Sequence, residues 1–158
     1  MVTVWRIAQD TPDYEAHDLG GSGAEITGGR WNRKGQAVVY SSVSIALAVL
    51  ETTVHMRAKS LPLNRYLVEI SIPDAIWKKR TGWTKDTAQV GWDALPTGKT
   101  SLDMGDDWLK QCKTAIAQVP SVIVAEEFNV LINPKHPDSR KISAKKLRRW
   151  LCDSRIGN

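Results

Sequence analysis

Four places along this 158-residue chain carry side chains whose types and spacing suit chemistry on a charged ligand. The first is Gly28-Gly29-Arg30-Trp31-Asn32, which closes a glycine-rich stretch. Glycines let the backbone approach a ligand closely, and Arg30 offers a planar, permanently charged fork for phosphate or carboxylate. The second is Glu51. At about 100° per residue, Leu47, Leu50, Val54 and Ala58 gather on one side of a predicted helix, and Glu51 falls within roughly 40° of Leu47. A carboxylate beside an apolar stripe is costly unless it is paired or lines a cleft. Glu51 therefore reads either as a structural ion pair or as a cleft carboxylate, with His55 its candidate neighbour one turn on. The third is Tyr40, ending the strand that feeds this helix. It supplies a ring for stacking and one hydroxyl, or else a core aromatic. The fourth is Pro120-Ser121, followed by Glu126 and Asn129. With no base in view, Ser121 reads as a hydrogen-bonding positioner rather than a nucleophile.

The elements that must position these groups follow from periodicity and punctuation. Residues 3–7 (TVWRI) read as a strand. Residues 8–35 have no period and hold six of the eleven glycines, and so long a loop is expected to shape a binding site. Residues 36–40 (QAVVY) form a strand, and Ser42 or Ser44 caps a helix running to about Arg57. Residues 65–72 (RYLVEISI) alternate as a strand stopped by Pro73. Residues 77–104 are polar and without clear period, and residues 106–117 read as an amphipathic helix with acids in its first turn. Residues 121–125 and 128–132 read as buried strands, and residues 147–156 as a closing strand or a basic helix. Short strands with two or three helices make an α+β domain.

Composition narrows the classes. The length suits one domain, and 42% hydrophobic with 25% charged residues is ordinary globular usage. No run of about 18–20 apolar residues exists for a membrane span, and the first residues lack the pattern of a secretory signal. Cys112 and Cys152, without metal or redox spacing, are expected as free thiols of the cytoplasm. His17, His55 and His136 have no ligand spacing, so no metal is expected. Gly98-Lys99-Thr100 has Asp93 where a phosphate-binding loop needs glycine, and no GxSxG elbow is present. Net charge is +5, with Lys78, Lys79 and Arg80 in one cluster and Lys145, Lys146, Arg148 and Arg149 in another. These clusters read as solvated faces first. A basic nucleic-acid-binding module is the rival from another class, supported by charge alone. Seven tryptophans against one phenylalanine suit an aromatic-rich cleft or simply a core.

Taken in order, Trp5-Arg6-Ile7-Ala8, Gly21-Ser22-Gly23-Ala24, Gly28 to Asn32, Val38 to Ser42, Ala46 to Glu51 and Pro120 to Asn129 resemble the RES domain, named for its Arg, Glu and Ser. The resemblance spans about residues 4–137, and Asp153-Ser154-Arg155 resembles the family's closing Asp-x-Arg element. It implies a single RES domain over residues 1–158, a compact α+β fold with a central mixed sheet similar to ADP-ribosyltransferase toxins. It also implies a toxin that consumes NAD⁺ as substrate, with no cofactor, by hydrolysis or phosphorolysis of the nicotinamide–ribose bond or by transfer of ADP-ribose to a protein. On that resemblance Arg30, Tyr40, Glu51 and Ser121 are the catalytic candidates, and Gly29, Trp31, Asn32 and Asn129 the substrate-binding ones. Arg30 would hold the pyrophosphate and Tyr40 would flank the nicotinamide. Glu51 would face the cationic ribose, with Ser121 and Asn129 fixing the bound conformer. The implied partner is a cognate antitoxin with a DNA-binding domain that covers the site, in a complex compatible with a toxin homodimer. No membrane and no direct nucleic-acid contact are expected.

Overall fold

The computed structural model describes residues 1–55 and 64–156. Seven strands form one sheet: β1 (Val2–Gln9), β2 (Val39–Ser42), β3 (Arg65–Ile72), β4 (Thr81–Gly82), β5 (Ile116–Pro120), β6 (Phe128–Ile132) and β7 (Ser143–Arg149), in the order β4-β5-β6-β2-β1-β3-β7. Every pairing is antiparallel except β4 with β5, so the sheet is mixed, as expected. Among the described residues four α-helices, α1 (Ser22–Thr27), α2 (Ile45–His55), α3 (Asp74–Lys78) and α4 (Lys99–Gln111), and one 3-10 helix (Pro137–Lys141) accompany it. None of the described helices is long and apolar enough to cross a membrane.

Because side chains alternate along a strand, the register sorts residues onto two faces. One face packs Val4, Val39, Val68, Ile70, Ile116, Val130 and Ile132 into a core with Ile76 of α3. The other face carries Ala117, Val119 and Leu131, covered by Trp31, Trp92 and, from α4, Met104, Trp108 and Leu109. Across this second face runs a row formed by Trp5, Ser42, Asn129 and Val119, each opposite the next in its ladder. Helix α2 packs on β1 and β2. The seam between α2 and the tryptophan-rich layer is where the polar groups collect.

Several expected elements shift. β2 starts at Val39 rather than at residue 36, because the Gln36 carbonyl accepts from the Asn32 side chain instead of entering the ladder. Ser44, not Ser42, caps α2, its Oγ accepting the Leu47 N–H at 3.1 Å. Only Leu47 and Ala48 of α2 are buried, while Leu50 and Val54 are 41% and 47% exposed, so the buried side lies a residue away from the expected stripe. Arg57 and Ala58 lie outside the described residues.

The helix expected over residues 106–117 occupies Lys99–Gln111 instead. It stops where Cys112 turns left-handed (φ 52°) and its N–H bonds the Trp108 carbonyl. Asp106 is thus a buried mid-helix residue rather than a first-turn acid. The apolar run that follows is strand β5, and residues 121–125, expected as a strand, form turns. There the Ser121 Oγ takes the N–H groups of Ile123 and Val124, at 3.1 and 3.2 Å, that a ladder would need. Of residues 147–156, expected as a closing strand or a basic helix, only 147–149 lie in a strand, the end of β7, and 150–156 are neither strand nor helix. Cys112 and Cys152 are free thiols.

Candidate active site

Glu51, Ser121 and Asn129 come from three distant parts of the chain and meet at one oxygen. Helix α2 projects Glu51 over the row containing Asn129. Ser121 follows directly on β5, two residues past Val119 of that row. The Ser121 hydroxyl donates to Glu51 Oε1 at 2.7 Å, and Asn129 Nδ2 donates to the same oxygen at 2.6 Å. No lysine or arginine among the described residues forms a salt bridge with Glu51, and none of them donates to its Oε2. Of the two readings open to Glu51, the structural ion pair is therefore the one without a partner here. The carboxylate is held by neutral donors on one side, and no described residue claims its other oxygen. His55 is exposed at the end of α2 and takes no part. Glu126 is exposed too, paired with Lys85 at 3.0 Å.

Arg30 stands in the same electrostatic neighbourhood. Burial lowers its pKa from the ordinary arginine value, and the charges of Glu51 and Asp93 push it back up. Its Nη1 donates to the carbonyls of Trp92 and Ala94, at 3.0 and 2.9 Å. One arm of the fork is thus fastened to the 92–94 loop, and no described residue takes Nη2. That anchoring was not visible in the sequence.

The loop around Arg30 is fixed from beneath. The Tyr40 hydroxyl donates to Asn32 Oδ1 at 2.6 Å and accepts the Trp31 N–H at 3.0 Å. Burial pushes this phenol far above its ordinary pKa, so it stays protonated and donating. Asn32 is fully buried, its Nδ2 donating to the carbonyls of Ala24 and Gln36, both at 2.9 Å. Trp31, 2% exposed, stacks between Trp83 and Trp92 with ring centroids 6.0 and 6.3 Å away. Gly29 must lack a side chain because a Cβ there would lie 2.8 Å from the Tyr40 hydroxyl. Expected to touch substrate, Trp31 and Asn32 have their rings and polar atoms engaged inside the loop. The Tyr40 hydroxyl is engaged there as well. Geometrically all three hold Arg30 in place.

Helix α4 completes the clamp, with residues that sequence reasoning missed. A Cβ on Gly105 would overlap the Trp31 carbonyl oxygen, so the helix packs directly on that backbone. Asp106 accepts the Arg33 N–H at 3.1 Å and Arg33 Nη1 at 2.8 Å, and Asp103 accepts Nη2 at 2.8 Å. An isolated glycine inside a helical pattern signals close packing, and Asp103 and Asp106 sit three apart on one face. Those two cues were the available signal. Among the described residues no cluster of His, Cys, Asp or Glu has the arrangement to hold a metal.

Comparison with known proteins identifies the family. The model of the RES domain matches residues 3–153. A relative from Sphingobium sp. (strain YBL2), named Prs ADP-ribosylating toxin, is 54% identical over 96% of this chain and 94% of its own length. A protein from Yersinia enterocolitica named Toxin Res is 37% identical over 78% of this chain and 79% of its own. In three dimensions the chain resembles a chain of the crystal structure of the M. tuberculosis MbcT–MbcA toxin–antitoxin complex. The TM-score is 0.67 over 92% of this chain and 83% of that one, at 16% identity, which is a likeness of fold. Matched by that model over nearly its whole length and similar to relatives named as toxins, the chain belongs to the RES-domain family of toxins.

Proposed function

We propose that this protein cleaves the nicotinamide–ribose bond of NAD⁺. The observation that carries the reading is a carboxylate held by two neutral donors and, among the described residues, by no cation, in the electrostatic neighbourhood of Arg30. As the C1′–N bond breaks, its electron pair leaves with nicotinamide, which departs as a neutral ring without needing a general acid. Positive charge then develops on the ribose. A carboxylate already balanced by a lysine or arginine would stabilise that cation weakly, whereas Glu51 meets it with its charge intact. The acceptor then adds at C1′ and gives up its proton to Glu51 or to solvent.

Arg30 has one guanidinium arm fastened to the loop and another that no described residue takes, suiting it to the pyrophosphate. Ser121 and Asn129 orient Glu51, and Tyr40, Trp31, Asn32 and Gly29 hold the loop. Such positioning can supply several kcal/mol of barrier lowering. For the acceptor, the notion of a protein rather than water or phosphate is favoured by the 54% identical relative, whose name is that of an ADP-ribosylating toxin. The fold-level neighbour comes from a toxin–antitoxin complex, which supports an antitoxin partner that covers this seam. The cytoplasm is where NAD⁺ and such a partner would meet it.

The test is to incubate purified protein with NAD⁺, with and without phosphate and with a cell extract, and to identify the products. Free nicotinamide must appear. ADP-ribose, its 1″-phosphate or labelled protein would then distinguish the acceptors. NAD⁺ left intact under all three conditions would overturn the reading.

A further inference from the structure

We propose that Ser42 is a positioning residue for this reaction, acting on Glu51 through the side chain of Asn129. The inference rests on the reading of Glu51 given above. Ser42 is 3% exposed, ends β2 and lies directly opposite Asn129 in the ladder. Its hydroxyl donates to Asn129 Oδ1 at 2.7 Å, while Nδ2 of the same amide donates to Glu51 Oε1 at 2.6 Å. A primary amide has a donor end and an acceptor end. Turned over, it would aim its oxygen at the carboxylate. The carboxylate, which can only accept, selects the orientation with Nδ2 toward it, and the Ser42 hydroxyl, donating to Oδ1, holds the amide there.

The other side of the carboxylate is arranged in the same sense. Ser121 Oγ receives the N–H groups of Ile123 and Val124, groups that can only donate, so its single proton points to Glu51. Hydrogen-bond donors therefore run inward from both flanks and end on Oε1. That pins one carboxylate oxygen and sets the direction of the other. The neighbouring serines have other tasks, Ser41 donating to the Val130 carbonyl at 2.8 Å and Ser44 capping α2. Among the described residues the Ser42 hydroxyl serves Asn129 alone, and no helix or strand bond depends on it.

The experiment compares nicotinamide release from NAD⁺ by the unaltered protein and by Ser42→Ala, Asn129→Ala, the double variant, Ser42→Thr and Ser41→Ala, with melting temperatures on the same preparations. Removing the group that orients a metal's ligand lowers affinity or activity about 10–100-fold, and the same scale is taken by analogy for a group that orients a carboxylate. Ser42→Ala is expected to lower kcat by about tenfold on that scale while KM moves little, because the lost alignment matters at the transition state. The double variant should be no slower than Asn129→Ala, since Ser42 acts only through that amide. Ser42→Thr, which keeps the hydroxyl, should restore turnover. Ser41→Ala should lower the melting temperature and leave kcat unchanged.

An unchanged kcat in Ser42→Ala would overturn the proposal. So would a double variant in which the two losses multiply, and that comparison decides even if threonine proves too large for the buried site. If Glu51→Gln is inactive while Ser42→Ala is fully active, only the role of Ser42 falls. If Glu51→Gln turns over NAD⁺ at the unaltered rate, the reading of the site falls and Ser42 with it.

Discussion

Tyr40 is the sharpest place to separate holding from touching, and the variant that does so is Tyr40→Phe. The ring remains and only the hydroxyl is lost. That hydroxyl makes two bonds, to Asn32 Oδ1 at 2.6 Å and from the Trp31 N–H at 3.0 Å, and both partners belong to residues no more than 2% exposed. Leaving one buried polar group without a partner costs about 1–3 kcal/mol. With two groups orphaned and some relaxation of the loop, about 2–4 kcal/mol is the expected loss. For a domain of this size each kcal/mol lowers the melting temperature by about 2–4 °C, so a fall of roughly 5–15 °C should appear by calorimetry.

The same loop carries Arg30, so loosening it should raise KM for NAD⁺ severalfold, with a smaller change in kcat. A Tyr40 that served instead as a stacking surface would give the opposite result. Phenylalanine stacks as well as tyrosine, so KM and melting temperature would both stay near the unaltered values. That outcome would refute the scaffold account of Tyr40.

Further expectations concern the carboxylate, the fork, the helix contact and the sheet edge. Glu51→Gln should cut kcat by about 10²–10³, the scale for deleting one transition-state stabiliser, and leave the melting temperature nearly unchanged because no ion pair is lost. A fall in melting temperature with turnover spared would restore the structural reading. Arg30→Lys should raise KM, since an ammonium cannot bridge the Trp92 and Ala94 carbonyls and also reach a phosphate; equal NAD⁺ affinity in the two proteins would count against it. Gly105→Ala should displace the Trp31 backbone and reduce turnover without altering any polar side chain of the site; a fully active and stable variant would show that α4 can retreat freely. Asp10 accepts the Ala16 N–H at 2.7 Å and Lys146 Nζ at 3.0 Å, and these, in that order, hold its pKa below the ordinary 3.8. Its folded pKa being the lower one, it stabilises the fold above pH 3.8 and loses that contribution as pH falls through the depressed value. Asp10→Asn, which mimics the protonated form, should therefore melt lower at pH 7 and converge with the unaltered protein in acid; a gap constant with pH would contradict this.

How far the chain could be read depended on which side chains its packing uses. β3 and β6 were legible to their ends, since both faces of these strands are apolar or alternate cleanly and Pro73 or Pro134 stops them. The grouping of Glu51 with Ser121 and Asn129 was legible through motif order, although spacing alone could not show that three segments converge. α4 was not. Its buried set is Ser101, Met104, Gly105, Asp106, Trp108 and Leu109, a helical period in which serine, glycine and aspartate stand where apolar residues would announce a core. Those substitutions exist because the helix packs on backbone and receives Arg33. What hid the helix from the sequence is what makes it clamp the loop. In the same way Val122, Ile123 and Val124 look like strand residues by propensity, and one side chain, Ser121, diverts their backbone into turns.

The placement of charge in the seam follows a single physical rule. A buried cation beside Glu51 would have made the carboxylate comfortable in the resting protein and of little use to a cation forming during reaction. The fold instead spreads the task of holding it over neutral dipoles, Ser121 backed by two N–H groups that can only donate and Asn129 by the Ser42 hydroxyl. Hydrogen bonds from neutral groups fix position without cancelling charge, and fixed dipoles need no rearrangement when the ribose becomes positive. Arg30, fastened to two carbonyls, remains close enough for Glu51 to influence its pKa yet makes no bridge with it. Separation of the two charges leaves each with a side that no described residue claims, and a dinucleotide with an anionic pyrophosphate at one point and an incipient cation at another is the kind of molecule that would join them.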